Sequence, residues 1–444
     1  MMKLLFFFIG MFMMIFFKKK MIMSQNFFFF MYLFFVLNFN YNYYYWVKIY
    51  YFLGMDSLSM VLMSLTVWIV GLSLLGNKSF LLKFNSSQFY IVLLGLVIML
   101  NLTFMSMNMM MFYIFFEGSL IPMIMIIMGW GMQVDRIQAS MYMLMYTILG
   151  SLPFMVMLMY IYNNYSSLYF NILLLNNLFY YKNLFMYTIM LVGFLIKMPL
   201  YFMHIWLPKA HVEAPVSGSM ILAGVMLKLG VYGLFRMILM FNFLVLEYSY
   251  LLIILGMMGG IYSSLICLTQ VDLKIIVAYS SVVHMNMLLA SMLTLSQWGI
   301  LGGVMMSIAH GLSSSMLFYL VNVGYERLMS RSLVVNKGLM NLFPSLSMWW
   351  FLGCSSNFSV PPSLNFFSEI FLIISLVLFS KLMIVLIFFI TFFSACYSIY
   401  LYKYSQHGVS LIMMSLCSIS IREFMMLMLH WGPLNILFVF MLMF

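Results

Sequence analysis

Apolar runs of about 20 residues, separated by short polar knots, recur from Leu4 to the C-terminus, about fourteen in all, and each is long enough for a helix to cross a bilayer. The chain is 66% hydrophobic and 7% charged, too little polar surface for a water-soluble domain of 444 residues. The expected fold is an all-α membrane protein of about 14 transmembrane helices. The first run, Leu4 to Phe17, precedes Lys18, Lys19 and Lys20. Its charge follows the apolar stretch and no small-residue cleavage site is present, so it reads as a span and not as a secretory leader.

Phe, Tyr, Asn and Met are abundant, with 46 Phe, 30 Tyr and 54 Met. An AT-rich gene read with a code in which an extra codon gives Met produces this bias, which points to a mitochondrial genome; the simpler account is that Met fills irregular helix packing. The net charge of +11 raises the question of an acidic partner. When the spans are numbered in order, the loops after odd spans hold thirteen basic residues: Lys18, Lys19, Lys20, Lys78, Lys83, Arg136, Lys209, Lys274, Arg327, Arg331, Lys337, Lys403 and Arg422. The other side holds five: Lys3, Lys48, Lys182, Arg236 and Lys381. By the positive-inside rule the odd loops face the matrix and both termini face the intermembrane space. The charge is thus topological, and no basic stripe suits nucleic acid.

No linker or low-complexity tail interrupts the runs; the longest polar interludes lie near Asn38 to Lys48 and Tyr160 to Lys182. Two segments break the helical pattern alike: Lys197-Met198-Pro199-Leu200 leading to Leu207-Pro208, and Val360-Pro361-Pro362-Ser363 leading to Glu369. Proline removes a backbone donor and costs a helix interior about 3 kcal/mol, which a membrane tolerates only where protein or a watery cavity satisfies the freed groups. One such break in each half, beside an ionisable residue, marks a repeat-built transporter. The expected organisation is residues 1–87 as N-terminal spans, 88–240 and 248–403 as two inverted five-helix repeats each with a proline-broken helix, and 404–444 as a C-terminal loop and last span.

The chain has nine acidic residues, so each can be placed. Glu117 falls inside the run Met109 to Met128 and Glu369 inside Ser363 to Ser380; Lys197 lies in Tyr187 to Trp206, away from the expected span ends, and Lys228 in Val216 to Phe235. A charge at the bilayer centre costs roughly 2.5 kcal/mol or more, so these four are functional candidates before they are packing residues. His284, in Ile275 to Leu293, and His310, in Ile300 to Leu320, complete a candidate path, because imidazole passes a proton on either ring nitrogen. Loss of water disfavours a charged lysine and a neighbouring carboxylate favours it, so Glu117 and Lys197 are expected to form a switch. With the pair closed Lys197 keeps its proton; with the pair open it is poised to release it toward Lys228 and the histidines.

Other polar residues invite simpler explanations. His204 and His211 flank Trp206 and Pro208 with Glu213 as the only nearby carboxylate, and the proline interrupts the helix an HExxH metal site requires, so no metal is expected and both read as structural or water-contacting. Asp56, Asp135, Asp272 and Glu326 lie beside Ser57, Arg136, Lys274 and Arg327 and read as helix caps and local pairs. Cys267, Cys354, Cys396 and Cys417 show no CxxC spacing and are expected to bind nothing.

The strings FYIFFEGSLIPM around Glu117, IKMPLYFMHIWLPKAHVEAPVSGSMILAGVMLKLG from Ile196 to Gly230, QVDLKIIVAYSSVVHM and IAHGLSSSMLFYL around His310 closely resemble the antiporter-like subunit family of mitochondrial respiratory complex I. That family is related to cation/proton antiporters of the multiple-resistance type. The likeness spans about residues 100 to 375, and the glutamate at 369, where the subunit 2 and 5 branches would carry lysine, fits the subunit 4 branch best. The resemblance implies that Glu117 and Lys197 are the paired switch, Lys228, His284 and His310 the central axis, and Glu369 the exit-side carboxylate. It further implies a proton-translocating subunit of NADH:ubiquinone oxidoreductase in the inner mitochondrial membrane, touching other membrane-arm subunits, neighbouring antiporter-like subunits and lipids such as cardiolipin. NADH, flavin, iron–sulfur clusters and ubiquinone would then belong to partner subunits, since this chain has neither a GxGxxG after a strand nor a cluster-binding cysteine set. Polar Gly353-Cys354-Ser355-Ser356-Asn357 and the Gly118-Ser119 pair depart mildly from the family pattern. A free-standing antiporter and a purely structural subunit are the competing readings.

Overall fold

A computed structural model of the chain describes residues 7, 10, 26, 28–33, 46–77, 86–175, 184–240, 242–409 and 418–442. Most of the N-terminal spans expected before residue 46 lie outside the described residues, as do Lys3, Lys18, Lys19, Lys20, Lys78, Lys83, Lys182 and Cys417. The chain forms two compact units, Met1–Lys197 with Glu213–Leu244, and Met198–Val212 with Val245–Phe444.

The first unit contains an antiparallel hairpin, β1 Val47–Tyr50 and β2 Leu53–Met55, in which Val47 faces Met55 and Tyr50 faces Leu53. An all-helical reading missed it, although Val47, Ile49 and Tyr50 are the β-branched and aromatic types that suit a strand. Its helices are α1 Ser57–Gly76, α2 Ser86–Met105, α3 Met109–Trp130 with one irregular turn at Ser119, α4 Arg136–Tyr165, the short α5 Phe170–Leu175, and α6 Leu184–Lys197. α7, Trp206–Glu213, falls almost wholly in the second unit, and the first resumes with α8, Val216–Met240, whose middle winds as a π-helix over Leu222–Met226. In the second unit α9 is Asn242–Thr269, α10 Leu273–Met292, α11 Gln297–Leu328, α12 Leu339–Leu342, α13 Pro344–Asn357, α14 Leu364–Phe379, α15 Met383–Gln406 and α16 Ile421–Leu442. Among the described residues nine helices are long and apolar enough to cross a membrane, while α6 and α14 are shorter apolar helices.

Small residues set the closest helix approaches, as they do where apolar lipid supplies no driving force of its own. A Cβ on Gly150 of α4 would stand 2.9 Å from the Gly193 Cα of α6, and one on Gly193 would stand 3.0 Å from the Gly150 carbonyl oxygen. Gly233 of α8 lies directly under the Phe194 ring of α6. In the second unit α11 packs against α10, α13, α14 and α16. A Cβ on its Gly302 would meet the Phe371 Cβ of α14 at 2.9 Å, and one on Gly353 of α13 would meet Leu320 of α11 at 3.0 Å.

Prolines act according to their position. Pro199 stops α6 at Lys197, the break expected there; Pro208 is harmless in the first turn of α7. Pro361 and Pro362 separate α13 from α14. Pro153, by contrast, lies inside α4, which continues to Tyr165 and turns part of the expected polar interlude into helix. Both breaks contain a non-glycine residue in the left-handed region, Phe202 at φ 76° and Ser359 at φ 59°. Such residues cost of order 1–3 kcal/mol unless surrounding contacts impose them.

Candidate functional site

Three of the six candidate residues belong to the first unit. Glu117 comes near the middle of α3, partly buried, with its Oε1 lacking a hydrogen-bond partner among the described residues. Lys197, buried at the C-terminal end of α6 where the helix dipole favours a cation, donates from Nζ to the Phe116 carbonyl at 3.0 Å. The same ammonium sits 3.0 Å from the Phe116 ring centre. Glu117 and Lys197 are therefore electrostatic neighbours, held one residue apart by Phe116, and not a hydrogen-bonded ion pair. Lys228, fully buried on α8, donates from Nζ to the Ala223 carbonyl at 2.6 Å. That carbonyl lies within the π segment, where the altered winding loosens the i to i−4 ladder and presents backbone oxygens to side chains.

The other three candidates meet in the second unit. His284 of α10 places Nδ1 3.5 Å from Glu369 Oε1 of α14. The His310 ring of α11 lies 5.7 Å from the His284 ring, centre to centre. All three residues are buried, with His284 2% and Glu369 8% exposed, so they meet with little bulk water between them. Two residues missed in the sequence complete the cluster. Tyr397 of α15 brings its hydroxyl 3.3 Å from His284 Nε2, and Ser359, from the break before α14, donates to Glu369 Oε2 at 2.5 Å. A serine hydroxyl on one carboxylate oxygen, an imidazole within 3.5 Å of the other and a second imidazole alongside gather exchangeable protons in one place.

The remaining polar residues are mostly structural. His204 stacks on Tyr201 at 5.2 Å and His211 lies parallel to Phe318 at 4.6 Å, and both are buried. The Val212 carbonyl, at the end of α7, accepts from Arg331 Nη1 at 2.6 Å and Lys274 Nζ at 3.5 Å, two cations at a negative helix end. Asp56 caps α1 through a reciprocal box with Ser59. It also pairs at 2.5 Å with Arg236, whose guanidinium lies 4.5 Å from Trp46 and 4.8 Å from Tyr232. Asp135 and Asp272 hold N-cap positions without a side-chain capping bond, Glu326 accepts from Asn322 at 2.8 Å, and Arg327 pairs with the distant Glu423 at 2.6 Å. The cap expected at Asp56 is present, and Asp56 and Arg327 each gain a tertiary partner besides. Cys267, Cys354 and Cys396 are free thiols, and among the described residues no group of three His, Cys, Asp or Glu side chains could hold a metal ion.

Apolar helices long enough to span a bilayer, with carboxylates, lysines and histidines inside them, define a polytopic membrane protein built to handle charge within the membrane. The family described as NADH:quinone oxidoreductase/Mrp antiporter, TM, matches residues 106–394, and the one described as NADH-ubiquinone oxidoreductase chain 4, amino terminus, matches residues 1–104. NADH-ubiquinone oxidoreductase chain 4 of Ceratitis capitata is 48% identical over 401 residues, 90% of this chain and 89% of its own length. That of Aedes aegypti is 46% identical over 396 residues, 88% of each chain. A chain in the structure of respiratory complex I from Thermus thermophilus with bound NADH shares the fold, with TM-score 0.83, 22% identity and coverage of 95% of this chain and 90% of that one. One in the membrane-bound sulfane sulfur reductase, an archaeal respiratory membrane complex, does so at TM-score 0.84 and 18% identity over 98% of this chain and 74% of that one. The chain belongs to the NADH-ubiquinone oxidoreductase chain 4 family.

Proposed function

We infer that this chain is a proton-translocating membrane subunit of NADH:ubiquinone oxidoreductase, coupling electron transfer on partner subunits to proton movement across the mitochondrial inner membrane. The observation that carries this reading is the buried His284–Glu369 contact within a helical membrane chain of this family. A proton leaving His284 Nδ1 for Glu369 Oε1 turns an imidazolium and a carboxylate into two neutral groups, and the reverse step restores them. In a buried site of low dielectric, that exchange changes the local field strongly. Moving one proton against the membrane potential costs about 2.3 kcal/mol per 100 mV, within reach of proton-affinity changes of a few units.

In this reading Glu117 and Lys197 are the switch of the first unit, with Lys228 beside them in function, and His284, His310 and Glu369 are the exchange groups of the second. NADH, flavin, iron–sulfur clusters and ubiquinone reside on partner subunits. Neighbouring antiporter-like subunits and other membrane-arm subunits pack on this chain, and anionic lipids such as cardiolipin suit its basic loops. The arrangement takes about 14 spans with two inverted five-helix repeats, residues 88–240 and 248–403, between the segments 1–87 and 404–444. A proline break within each repeat supports it. Both termini in the intermembrane space follow from the thirteen-to-five division of basic residues.

The test is proton pumping per NADH oxidised in sealed vesicles, comparing native enzyme with Glu117→Gln after assembly is verified. Collapse of pumping and of coupled turnover is expected. Unchanged pumping in the assembled variant would make the carboxylate structural and remove the switch.

A further inference from the structure

We propose that Asn365 is a positioning residue whose side-chain amide clasps the end of α13 and reaches α11 beside His310, and so fixes where α14 holds Glu369. The proposal rests on the proton-exchange reading above. Asn365 is buried in the first turn of α14, four residues before Glu369, so the two side chains leave the same face of the helix. Its Nδ2 donates to the Ser356 carbonyl at 2.6 Å, across the Pro361–Pro362 break, and to Ser313 Oγ of α11 at 3.3 Å. A carbonyl oxygen only accepts, so the nitrogen of the amide is the atom that faces Ser356 and the side chain has one orientation. Ser313 follows His310 by three residues and directs its own proton to the His310 carbonyl, 3.5 Å away. One bond therefore spans the break, and a second joins α14 to the helix that carries His310.

The first bond closes a ring around Glu369. Ser356 lies in the last turn of α13, where carbonyls lack helical partners, and its oxygen accepts from the Ser359 backbone N–H at 3.2 Å as well as from Asn365. Ser359 then donates from Oγ to Glu369 Oε2. Two routes lead from one carbonyl to Glu369, through α14 itself and through the Ser359 hydroxyl, and they hold the carboxylate by its backbone and by its oxygen. A proton passes directly between partners about 2.6–3.2 Å apart, so the 3.5 Å from Glu369 Oε1 to His284 Nδ1 leaves little room for displacement. Without the Asn365 amide the start of α14 is free to shift from α13, and the exchanging carboxylate shifts with it. A hydrogen bond of this kind governs an equilibrium by about five- to tenfold.

The experiment compares native enzyme with Asn365→Leu, Asn365→Gln and Glu369→Gln in sealed vesicles, measuring assembled complex and the rate of proton pumping driven by NADH. Leucine keeps the bulk of the side chain and deletes the donor, and the expected result is normal assembly with pumping about five- to tenfold slower. Glutamine keeps the amide on a longer stem that fits less well, and it is expected to recover part of the rate, which a purely packing role would not allow. Asn365→Leu pumping at the native rate overturns the assignment, as does equal slowing by both variants. Failure of both to assemble overturns it too, by making the side chain a packing element. If Glu369→Gln pumps normally, the underlying exchange reading fails; if it is inactive while Asn365→Leu is normal, only the role of Asn365 fails.

Discussion

Lys197 rests its ammonium over the Phe116 ring, 3.0 Å from the ring centre, while bonding the carbonyl of that same residue at 3.0 Å. The residue before Glu117 therefore competes with Glu117 for the lysine. A desolvated cation–π contact contributes about 2 kcal/mol, enough to hold the proposed switch open.

Phe116→Leu keeps an apolar side chain of similar bulk and removes the ring. Lys197 then keeps only the carbonyl of residue 116 as its alternative, which shifts it toward Glu117 and favours the closed pair by roughly tenfold. Slower pumping in fully assembled complex is the expected result, measured in vesicles; a native rate would make the ring a bystander.

Asp56→Ala removes both the α1 cap and the partner of Arg236, whose side chain is 11% exposed. Leaving one member of a buried pair unmatched costs about 3–5 kcal/mol, so the amount of complex that survives mild heating should drop sharply. The double variant Asp56→Asn with Arg236→Met removes both charges and should recover part of that loss. Protons pumped per NADH in the surviving complex should be native, because this pair anchors the fold.

Gly150→Ala puts a methyl where the backbone of α6 already lies, 2.9 Å from Gly193 Cα. Overpacking of this sort costs about 1–3 kcal/mol, read as a lower melting temperature of the complex. Gly95→Ala meets nothing within 4 Å and should be neutral or stabilising, since alanine is the better helix former.

Ser359→Ala and Ser359→Gly both delete the donor to Glu369, and glycine also relieves the left-handed backbone at φ 59°. Both variants should pump several-fold more slowly, with the glycine variant the more heat-resistant. A native rate in both would show that the hydroxyl is dispensable.

Much of the site is readable before any coordinates, because a charge inside an apolar run announces itself: Glu117, Lys228, His284, His310 and Glu369 all lie on the helices their runs indicate. Proline marks the ends of α6 and α13 for equally local reasons. The residues that escape notice act through partners far away in sequence. Tyr397 is one of 30 tyrosines and becomes distinctive only when α15 brings it to His284, 113 residues earlier. Asp56 and Arg236 stand 180 positions apart and each has an adequate local explanation. Pro153 shows the opposite error: a residue that signals a break at two sites is carried through the long helix α4 at a third.

The contact between Gly150 and Gly193 reaches beyond packing. Gly193 precedes Lys197 by one helical turn, about 5.4 Å, and Gly150 adjoins Ser151, which neighbours the Glu117 carboxylate. The distance across which acid and base sense one another is thus gauged by two bare stretches of main chain touching. Two missing methyl groups set the helix spacing on which the proposed Glu117–Lys197 switch depends.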